Sequence, residues 1–254
     1  MIGKIKIENV DSILDPLSAI ERVLNDGNDG AHIVYEFEDD AVFVAARDIA
    51  GNNFAIYELE VNEVFEDYKK PDCEIGVWDV VDFTNKLDLL EEDFELTHDG
   101  KSLFEAKSEN DNLQFYGCDP SEVKKGKRKL KTDALDLGVT FVMNTIVPKI
   151  KNAIRSYAGQ DNLIFEGSKD DQEVVVSICG DIRNSNSYKT TIKNMPVETD
   201  FKLEFSKSEI NKVLSCNDEF DVSFYTGPKD IAEFSYAKDN YTMKFFVSPN
   251  DKND

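Results

Sequence analysis

In the first half of the chain, the same succession of apolar and polar patterns occurs twice. Ile2–Ile7 alternates apolar and charged residues, as a half-buried strand does. Asp15 and Pro16 then predict a helix start, with Asp as the cap and Pro in the first turn, and an apolar stripe at helical spacing follows. Three alternating strands form a meander, and after it come a short strand near Glu74–Trp78, a helix from Asp79 and further hairpin strands. This half therefore predicts two βαβββ units.

The second half repeats the order. A strand at Val139–Asn144 precedes a helix over Thr145–Tyr157, where Pro148 falls in the first turn and is tolerated. Three strands follow, then a strand at Phe201–Phe205, a short helix over Lys207–Ser215 and three last alternating strands. The whole chain thus predicts four βαβββ units, with short helices covering one face of antiparallel sheets.

The stretch between the halves has neither a strand period nor a helix period. Cys118–Val123 contains an Asp-Pro-Ser turn signal, and the basic run Lys124–Lys131 includes Gly126. We expect an N-terminal domain at 1–118, a connector at 119–138, a C-terminal domain at 139–249 and a flexible tail at 250–254. The basic run has two interpretations, a solvated tether and a nucleic-acid-binding segment.

Composition and charge narrow the class of protein. The chain has 254 residues, 41% of them hydrophobic, which is enough for packed cores, and a net charge of −22 argues against non-specific binding of polyanions by the whole surface. Four scattered cysteines without metal-ligand spacing predict free thiols rather than disulfides or zinc. No stretch resembles a signal peptide or a membrane span, so we expect a cytoplasmic protein.

Motifs for catalysis are weak. Gly100–Ser102 resembles part of a phosphate loop, but Glu95 stands where an earlier glycine is required, and the context is a hairpin. His32 and His98 have no neighbouring Cys or Ser suited to a nucleophilic pair. We therefore expect no enzyme activity, no cofactor and no metal site.

One helix differs from the acidic rest of the chain. Between Thr145 and Gly159 there is no acidic residue, and Lys149, Lys151 and Arg155 lie off the apolar stripe. Clustered cations on one face attract phosphates without reading sequence. Lys212 and Lys207 on the next helix would extend the patch. The plain alternative is an ordinary solvated face, and the helices of the first half are acidic rather than basic.

Several stretches in order along the chain resemble a known family. The stretches are Phe43–Phe54, Val77–Phe83, Leu113–Ser121, Ile231–Phe234 and Asn240–Pro249. Together they resemble the DNA polymerase sliding clamps of T4-like bacteriophages, which share the fold of proliferating-cell nuclear antigen. The resemblance implies an α+β sliding-clamp (DNA clamp) fold: two similar domains, each of two βαβββ units, with helices on the inner face of antiparallel sheets.

The same resemblance implies a function and partners. Such clamps are ring-shaped homotrimers that encircle duplex DNA without sequence specificity, tether the replicative DNA polymerase and are opened by an ATP-dependent clamp loader. The DNA-facing residues would be Lys149, Lys151, Arg155, Lys212 and Lys207. A phage-encoded clamp would act in the cytoplasm of an infected bacterial host. Because the family's connector runs outside the ring, the resemblance favours a solvated tether for the basic run.

The resemblance also implies a pocket for partner peptides between the connector and the C-terminal strands. The matching positions are Val42, Val44, Leu130, Leu135, Leu137, Pro228, Phe246 and Pro249. Independently of the family, three leucines in a polar tether have no helix or strand of their own and should pack against the body. They either line a shallow docking groove or simply fasten the connector.

Two apolar segments are candidates for the head-to-tail subunit contact that closes a ring. We expect sheet edges at Leu113–Gly117 and Val174–Ile178, whose pairing would cover exposed strands. The interface residues would be Leu113, Phe115, Val174, Val176 and Ile178.

A different class of function competes with the clamp. The charge of −22 alone favours an acidic interaction protein, such as a DNA-mimicking inhibitor that occupies DNA-binding enzymes. The fourfold repeat and the acid-free helix favour the clamp.

Overall fold

The computed structural model describes residues 2–25, 31–48, 50–123, 125–126, 135–157, 159–179 and 187–250. The chain divides into two compact units. The N-terminal unit comprises Met1–Lys129 with Ala237–Lys244, and the C-terminal unit comprises Leu130–Tyr236 with Phe245–Asp254. Within the N-terminal unit, the segment Ala237–Lys244 is fastened by Lys238, whose ammonium lies 2.7 Å from a carboxylate oxygen of Asp15. Leu130 and most of the basic run lie outside the described residues.

The N-terminal unit contains the predicted pair of βαβββ units, with a small insertion between them. Its elements in chain order are β1 (Gly3–Ile5), α1 (Asp11–Leu24), β2 (Ile33–Phe37), β3 (Ala41–Arg47), β4 (Asn53–Glu60), α2 (Val61–Val64), β5 (Phe65–Glu66), β6 (Ile75–Val77), α3 (Val80–Leu87), β7 (Phe94–His98), β8 (Leu103–Lys107) and β9 (Asn112–Tyr116). Two short 3-10 turns, Ile7–Asn9 and Pro120–Glu122, accompany them.

The C-terminal unit contains the second pair. Its elements are β10 (Asp136–Met143), α4 (Val147–Ser156), β11 (Asn162–Ser168), β12 (Glu173–Cys179), β13 (Tyr188–Lys193), β14 (Phe201–Ser206), α5 (Lys207–Leu214), β15 (Phe220–Thr226), β16 (Ile231–Lys238) and β17 (Tyr241–Val247). The end of β16 and the first half of β17, within Ala237–Lys244, belong to the N-terminal unit. The predicted order of elements is confirmed in both halves.

Within each pair of βαβββ units, the first strand of one unit pairs with a strand of the other unit. In the N-terminal unit β1 pairs with β7, in the order β5-β1-β7-β8-β9, whereas β6 pairs with β2, in the order β6-β2-β3-β4. In the C-terminal unit β10 pairs with β15, and β14 pairs with β11, in the order β13-β12-β11-β14. All these pairs are antiparallel. Neither βαβββ unit of a pair therefore completes its sheet alone, which explains why the units occur in twos.

Aromatic side chains fill the space between sheets and helices in each unit. In the N-terminal unit Phe115 lies 4.6 Å from Phe83 of α3 and 5.2 Å from Phe104, measured between ring centroids. In the C-terminal unit Phe224 lies 4.8 Å from Phe165 and 5.2 Å from Phe201. These rings are buried, and α1 packs against α3 as α4 packs against α5. One face of each helix is thereby fixed to the core, which sets the opposite face toward solvent.

Helix α1 begins earlier than the sequence predicts. The predicted cap at Asp15 is wrong, because the helix starts at Asp11 and Pro16 lies inside it. A proline there has no N–H to donate to the carbonyl of Ser12. The hydroxyl of Tyr57 on β4 donates to that carbonyl oxygen at 2.8 Å instead. A tertiary hydrogen bond thus replaces the missing helical one.

The predicted sheet edge at Val174–Ile178 is also wrong. These residues form β12, which pairs with β11 on one side and with β13 on the other. The side chains of Val174, Val176 and Ile178 are fully buried in the core. The edges of this sheet are β13 and β14, and the edge next to β12 is β13, a more polar strand that alternation of apolar residues alone did not mark as an edge.

Candidate nucleic-acid interface and partner surfaces

Helix α4 presents cations on the side away from its core. Val147, Ile150, Ala153 and Ile154 are buried, and Pro148 occupies the first turn, where no N–H is needed. The side chains of Lys149 and Arg155 are exposed. Within the described part of the chain, neither of them forms an ion pair. Both can therefore meet an external phosphate without first breaking a contact.

Lys151 is held by a loop of its own unit. Its ammonium lies 2.8 Å from a carboxylate oxygen of Asp218 and 3.3 Å from the carbonyl oxygen of Asn217. The hydrogen bond from Lys151 lowers the pKa of Asp218, so this carboxylate stays charged and offsets the lysine. Only 19% of the Lys151 side chain is exposed. Lys151 is therefore less accessible to a phosphate than Lys149 and Arg155 are.

The two lysines of α5 differ from each other. Lys207 is buried, and its ammonium donates to the carbonyl oxygen of Tyr157 at 2.6 Å. Tyr157 is the C-cap residue of α4, so this lysine satisfies a carbonyl at the negative end of that helix. The structure gives Lys207 a packing role in place of the predicted contact with DNA. Lys212 is half-buried on the outer side of α5.

The helices of the N-terminal unit carry the opposite charge. Asp11 and Asp15 lie exposed on α1, and Asp82 lies exposed on α3. Lys86 forms an ion pair with Asp82 at 2.6 Å, and Lys238 forms one with Asp15. Lys86 and Lys238 are therefore already paired with carboxylates of the N-terminal unit.

The start of the connector is fastened to the N-terminal unit. The ammonium of Lys125 lies 2.7 Å from carboxylate oxygens of both Glu36 and Glu74, and the N–H of Gly126 donates to the carbonyl of Ala45 at 2.9 Å. Partial burial opposes the charged form of Lys125, but the hydrogen bonds to the two carboxylates outweigh it and raise the lysine's pKa. At this position the basic run is a structural tether.

The residues predicted for the partner pocket differ in accessibility. Val42 and Val44 on β3 and Phe246 on β17 are buried core residues. In the C-terminal unit Leu135, Leu137 and Pro249 are half-buried, and Pro228 is exposed in the turn between β15 and β16. Leu137 pairs with Tyr225 at the end of β15, next to that turn. Leu130 lies outside the described residues.

Strand β9 is the edge of its sheet, as predicted. Leu113 is half-buried and Phe115 is buried, so both face the unit's own core. The N–H of Gly117 donates to the carbonyl of Ser102, and the N–H of Ser108 donates to the carbonyl of Asp111. Alternate residues from Asp111 to Gly117 therefore bond toward β8. By alternation, the N–H and C=O groups of Gln114 point away from the sheet. This is a free edge that another strand can pair with.

Comparisons with known proteins show which solved structures share this fold. No protein-family model matches the chain, and no curated protein matches it by sequence. Solved structures do match. Proliferating cellular nuclear antigen from Entamoeba histolytica is 12% identical with a TM-score of 0.70, covering 98% of this chain and 99% of its own. PCNA of A. fulgidus, solved with the C-terminal region of FEN-1, is 15% identical with a TM-score of 0.71 and 99% coverage of both chains. The PCNA2–PCNA3 complex of Sulfolobus tokodaii is 15% identical with a TM-score of 0.68, and the match covers 98% of this chain and 99% of that chain.

The chain has the sliding-clamp fold. In this clamp fold the four βαβββ units account for nearly the whole chain. No cluster of His, Cys, Asp or Glu suited to a metal occurs among the described residues, and their four cysteines are unpaired thiols. The helices that the structure describes include none with the length and apolar character needed to cross a membrane.

Proposed function

We propose that this protein is a DNA sliding clamp: a ring of three copies that encircles duplex DNA and tethers a replicative polymerase. The observation that carries the proposal is the clamp fold over 98–99% of the chain. A fold can serve more than one function, so the argument also needs surfaces that fit the role. The exposed cations of α4 and the edge strands β9 and β13 are such surfaces.

The DNA-facing group is narrower than the sequence alone suggests. Lys149 and Arg155 are the exposed cations of α4, with Lys151 and Lys212 as half-buried neighbours. A few weak phosphate contacts suit a clamp, because they attract DNA yet allow sliding. The acidic faces of α1 and α3 leave most of this attraction to the C-terminal unit.

Ring closure uses edge β9 of one copy and edge β13 of the next. Both strands pair with a neighbour on one side within their own units. Head-to-tail contacts of this kind generate rings when the rotation closes. The half-buried Leu113 and the buried Phe115 then pack β9 against the core of its own unit, and Val174, Val176 and Ile178 do the same for β12, the neighbour of β13.

Partner peptides of the polymerase and of an ATP-dependent loader dock on the C-terminal unit. Leu135, Leu137, Pro228 and Pro249 keep accessible apolar surface there, whereas Val42 and Val44 are buried in the N-terminal unit and Phe246 is buried in the C-terminal unit. The clamp of A. fulgidus, solved with a C-terminal peptide of FEN-1, is a precedent for this mode. A T4-like phage origin and action in the cytoplasm of an infected host are the finer assignment that the sequence resemblance supports.

Encirclement is tested with linear duplex DNA that is tethered to a bead at one end. Protein is threaded over the free end at low salt, and that end is then blocked with a bound antibody. A ring stays on blocked DNA through a high-salt wash, because sliding off requires an end, and it is released when a nuclease cuts the block away. Loss in salt whether or not the end is blocked would replace encirclement by simple electrostatic binding, and a protein that never binds DNA would favour the DNA-mimicking inhibitor.

A further inference from the structure

The edge strand β13 carries cations on its solvent side. Lys189 and Lys193 are exposed at alternate positions of this strand, which contains no acidic residue. The neighbouring strand β12 places the half-buried Glu173 opposite Lys193. Even so, within the described part of the chain neither lysine forms an ion pair. Both positive charges can therefore meet a carboxylate of a second molecule without first breaking a contact.

The edge strand β9 lies in an acidic part of the chain. Five carboxylates and one lysine occur between Glu105 and Glu122. Glu109 and Asp111, in the turn that leads into β9, are exposed. On β8, the carboxylate of Glu105 lies 3.4 Å from the amide nitrogen of Gln114, a residue of the edge strand itself. The surroundings of β9 are therefore negative, although the strand carries no charge of its own.

The helices next to the two edges divide charge in the same way. Phe83 of α3 lies 4.6 Å from Phe115 of β9, measured between ring centroids, so α3 packs behind that edge. The ring of Tyr157, at the end of α4, lies 6.1 Å from the ring of Tyr188, the first residue of β13. Helix α3 exposes Asp82, whereas α4 has no acidic residue. The acidic edge thus has an acidic helix behind it, and the basic edge has an acid-free helix beside it.

Backbone pairing alone does not choose between strand edges. Any edge strand presents N–H and C=O groups that can pair with any other, so β9 could pair with β9, β13 with β13, or β9 with β13. Charge distinguishes these contacts, because like charges placed opposite each other suppress the wrong partner. Two β9 edges would bring carboxylates together, and two β13 edges would bring lysines together. Only the mixed contact places opposite charges side by side.

We propose that complementary charge selects the head-to-tail contact between copies of this chain. Lys189 and Lys193 of one copy lie among Glu105, Glu109 and Asp111 of the next. The proposal rests on the ring proposed above and names what chooses its contact. Because the lysines and the two turn carboxylates are exposed, salt screens their attraction. The stability of the ring is therefore under the control of ionic strength.

Charge reversal on β13 tests the selection. Lys189→Glu with Lys193→Glu should leave circular dichroism unchanged, because both side chains are exposed. We expect trimer formation to require a protein concentration higher by about tenfold or more, measured by light scattering. Lys202→Glu with Lys229→Glu is the matched control, since it changes the net charge equally at exposed sites outside β13. The control should assemble like the wild type.

A second pair of substitutions tests whether the effect is local. Glu109→Lys with Asp111→Lys, added to the reversed chain, exchanges the charges of the two edges and should restore assembly. The reversal changes the net charge by −4 and the two new lysines change it by +4, which returns it to −22. The same two lysines added to the control chain give the same net charge but place cations at both edges, so they should impair assembly. Lys189→Gln with Lys193→Gln serves as a milder variant should the reversed chain lose its fold.

The wild-type ring should dissociate more readily as salt rises from about 50 mM to about 500 mM, because the Debye length shortens. A wild-type protein that stays monomeric at every salt concentration contradicts the ring itself, and this contact with it. A trimeric wild type whose reversed variant assembles like the control contradicts the charge selection alone and leaves the ring in place. The same holds if the two added lysines fail to rescue the reversed chain. A wild-type dimer would show that like edges pair and would overturn both.

Discussion

Two side-chain hydrogen bonds from other elements stabilise helices in this protein. Tyr57 donates to the Ser12 carbonyl that Pro16 leaves without a helical partner. Lys207 donates to the Tyr157 carbonyl at the end of α4. In both cases a side chain from another element donates to a carbonyl that has no partner within the helix; the Tyr157 carbonyl also accepts from the N–H of Gln160, at 3.2 Å. Such residues look ordinary in the sequence and act through the fold.

The role of Lys207 leads to a stability prediction. Lys207→Met keeps about the length of the side chain but removes its charged donor, so that the Tyr157 carbonyl keeps only the hydrogen bond from the N–H of Gln160, at 3.2 Å. We expect the free energy of unfolding to fall by about 1–3 kcal/mol, measured by urea denaturation. Lys149→Met, at an exposed site on α4, should change it by about 0.5 kcal/mol or less.

The DNA affinity of the same two variants should change in the opposite order. Lys149→Met should weaken duplex binding, because it removes an accessible cation, and Lys207→Met should leave it unchanged. Weaker DNA binding by a fully stable Lys207→Met protein would return this lysine to the DNA-binding group.

At the scale of elements, charge is divided between the helices. Helix α4 has no acidic residue and exposes Lys149 and Arg155, whereas α1 and α3 expose aspartates. The apolar stripes of the helices are similar, so packing does not require this difference. A division of charge without a packing cause indicates surfaces with different partners.

Charge reversal on α4 tests its part in DNA binding. The double variant Lys149→Glu, Arg155→Glu should fold normally, because both side chains lie off the buried face. We expect weaker binding of a short duplex at low salt, and a logarithmic salt dependence that is shallower by about one unit or more. Fluorescence anisotropy across a salt series measures both quantities.

A control must carry the same change in net charge. Lys202→Glu with Lys229→Glu supplies it at two other exposed sites of the C-terminal unit. If both double variants lose affinity equally, net charge rather than the α4 face governs binding, and the assignment of α4 fails.

At the scale of the whole molecule, the strand edges govern assembly. Each edge presents backbone donors and acceptors, which a soluble protein must cover or use. The outward N–H of Gln114 on β9 follows from the register with β8 and belongs to no pair within that sheet. In the proposed ring, pairing with β13 of a second copy would satisfy this edge.

Gln114→Pro tests this pairing without disturbing the unit itself. Proline removes only the outward N–H, so the β8–β9 ladder remains, and edge positions tolerate proline. If the wild-type protein forms the proposed ring, light scattering should give the mass of a trimer for it and the mass of a monomer for Gln114→Pro at the same concentration, with unchanged circular dichroism. Gln114→Ala removes the side chain but keeps the N–H, and it should remain trimeric. A Gln114→Pro protein of unchanged mass would show that β9 is not the subunit contact.

The sequence by itself determined the order of elements. Alternation and helical spacing predicted four βαβββ units, the inward residues Phe83 and Leu87 of α3 with the buried Leu90 just after it, and the acid-free face of α4, because these patterns involve neighbours in the chain. The ordered stretches also supported the clamp fold. The start of α1 was missed, because the bond that carries the helix through Pro16 comes from Tyr57, distant in sequence.

Only the tertiary structure decided which strands meet and which side chains remain accessible. The exchange of β1 and β6, and the edge at β13 rather than β12, depend on long-range register, which local alternation does not encode. The burial of Lys207 and the exposure of Trp78 likewise depend on what packs beside them: α5 turns its first lysine onto the end of α4, and Trp78 stays 48% exposed. Local pattern sets the period of each element, and packing between distant elements decides which surfaces are left for function.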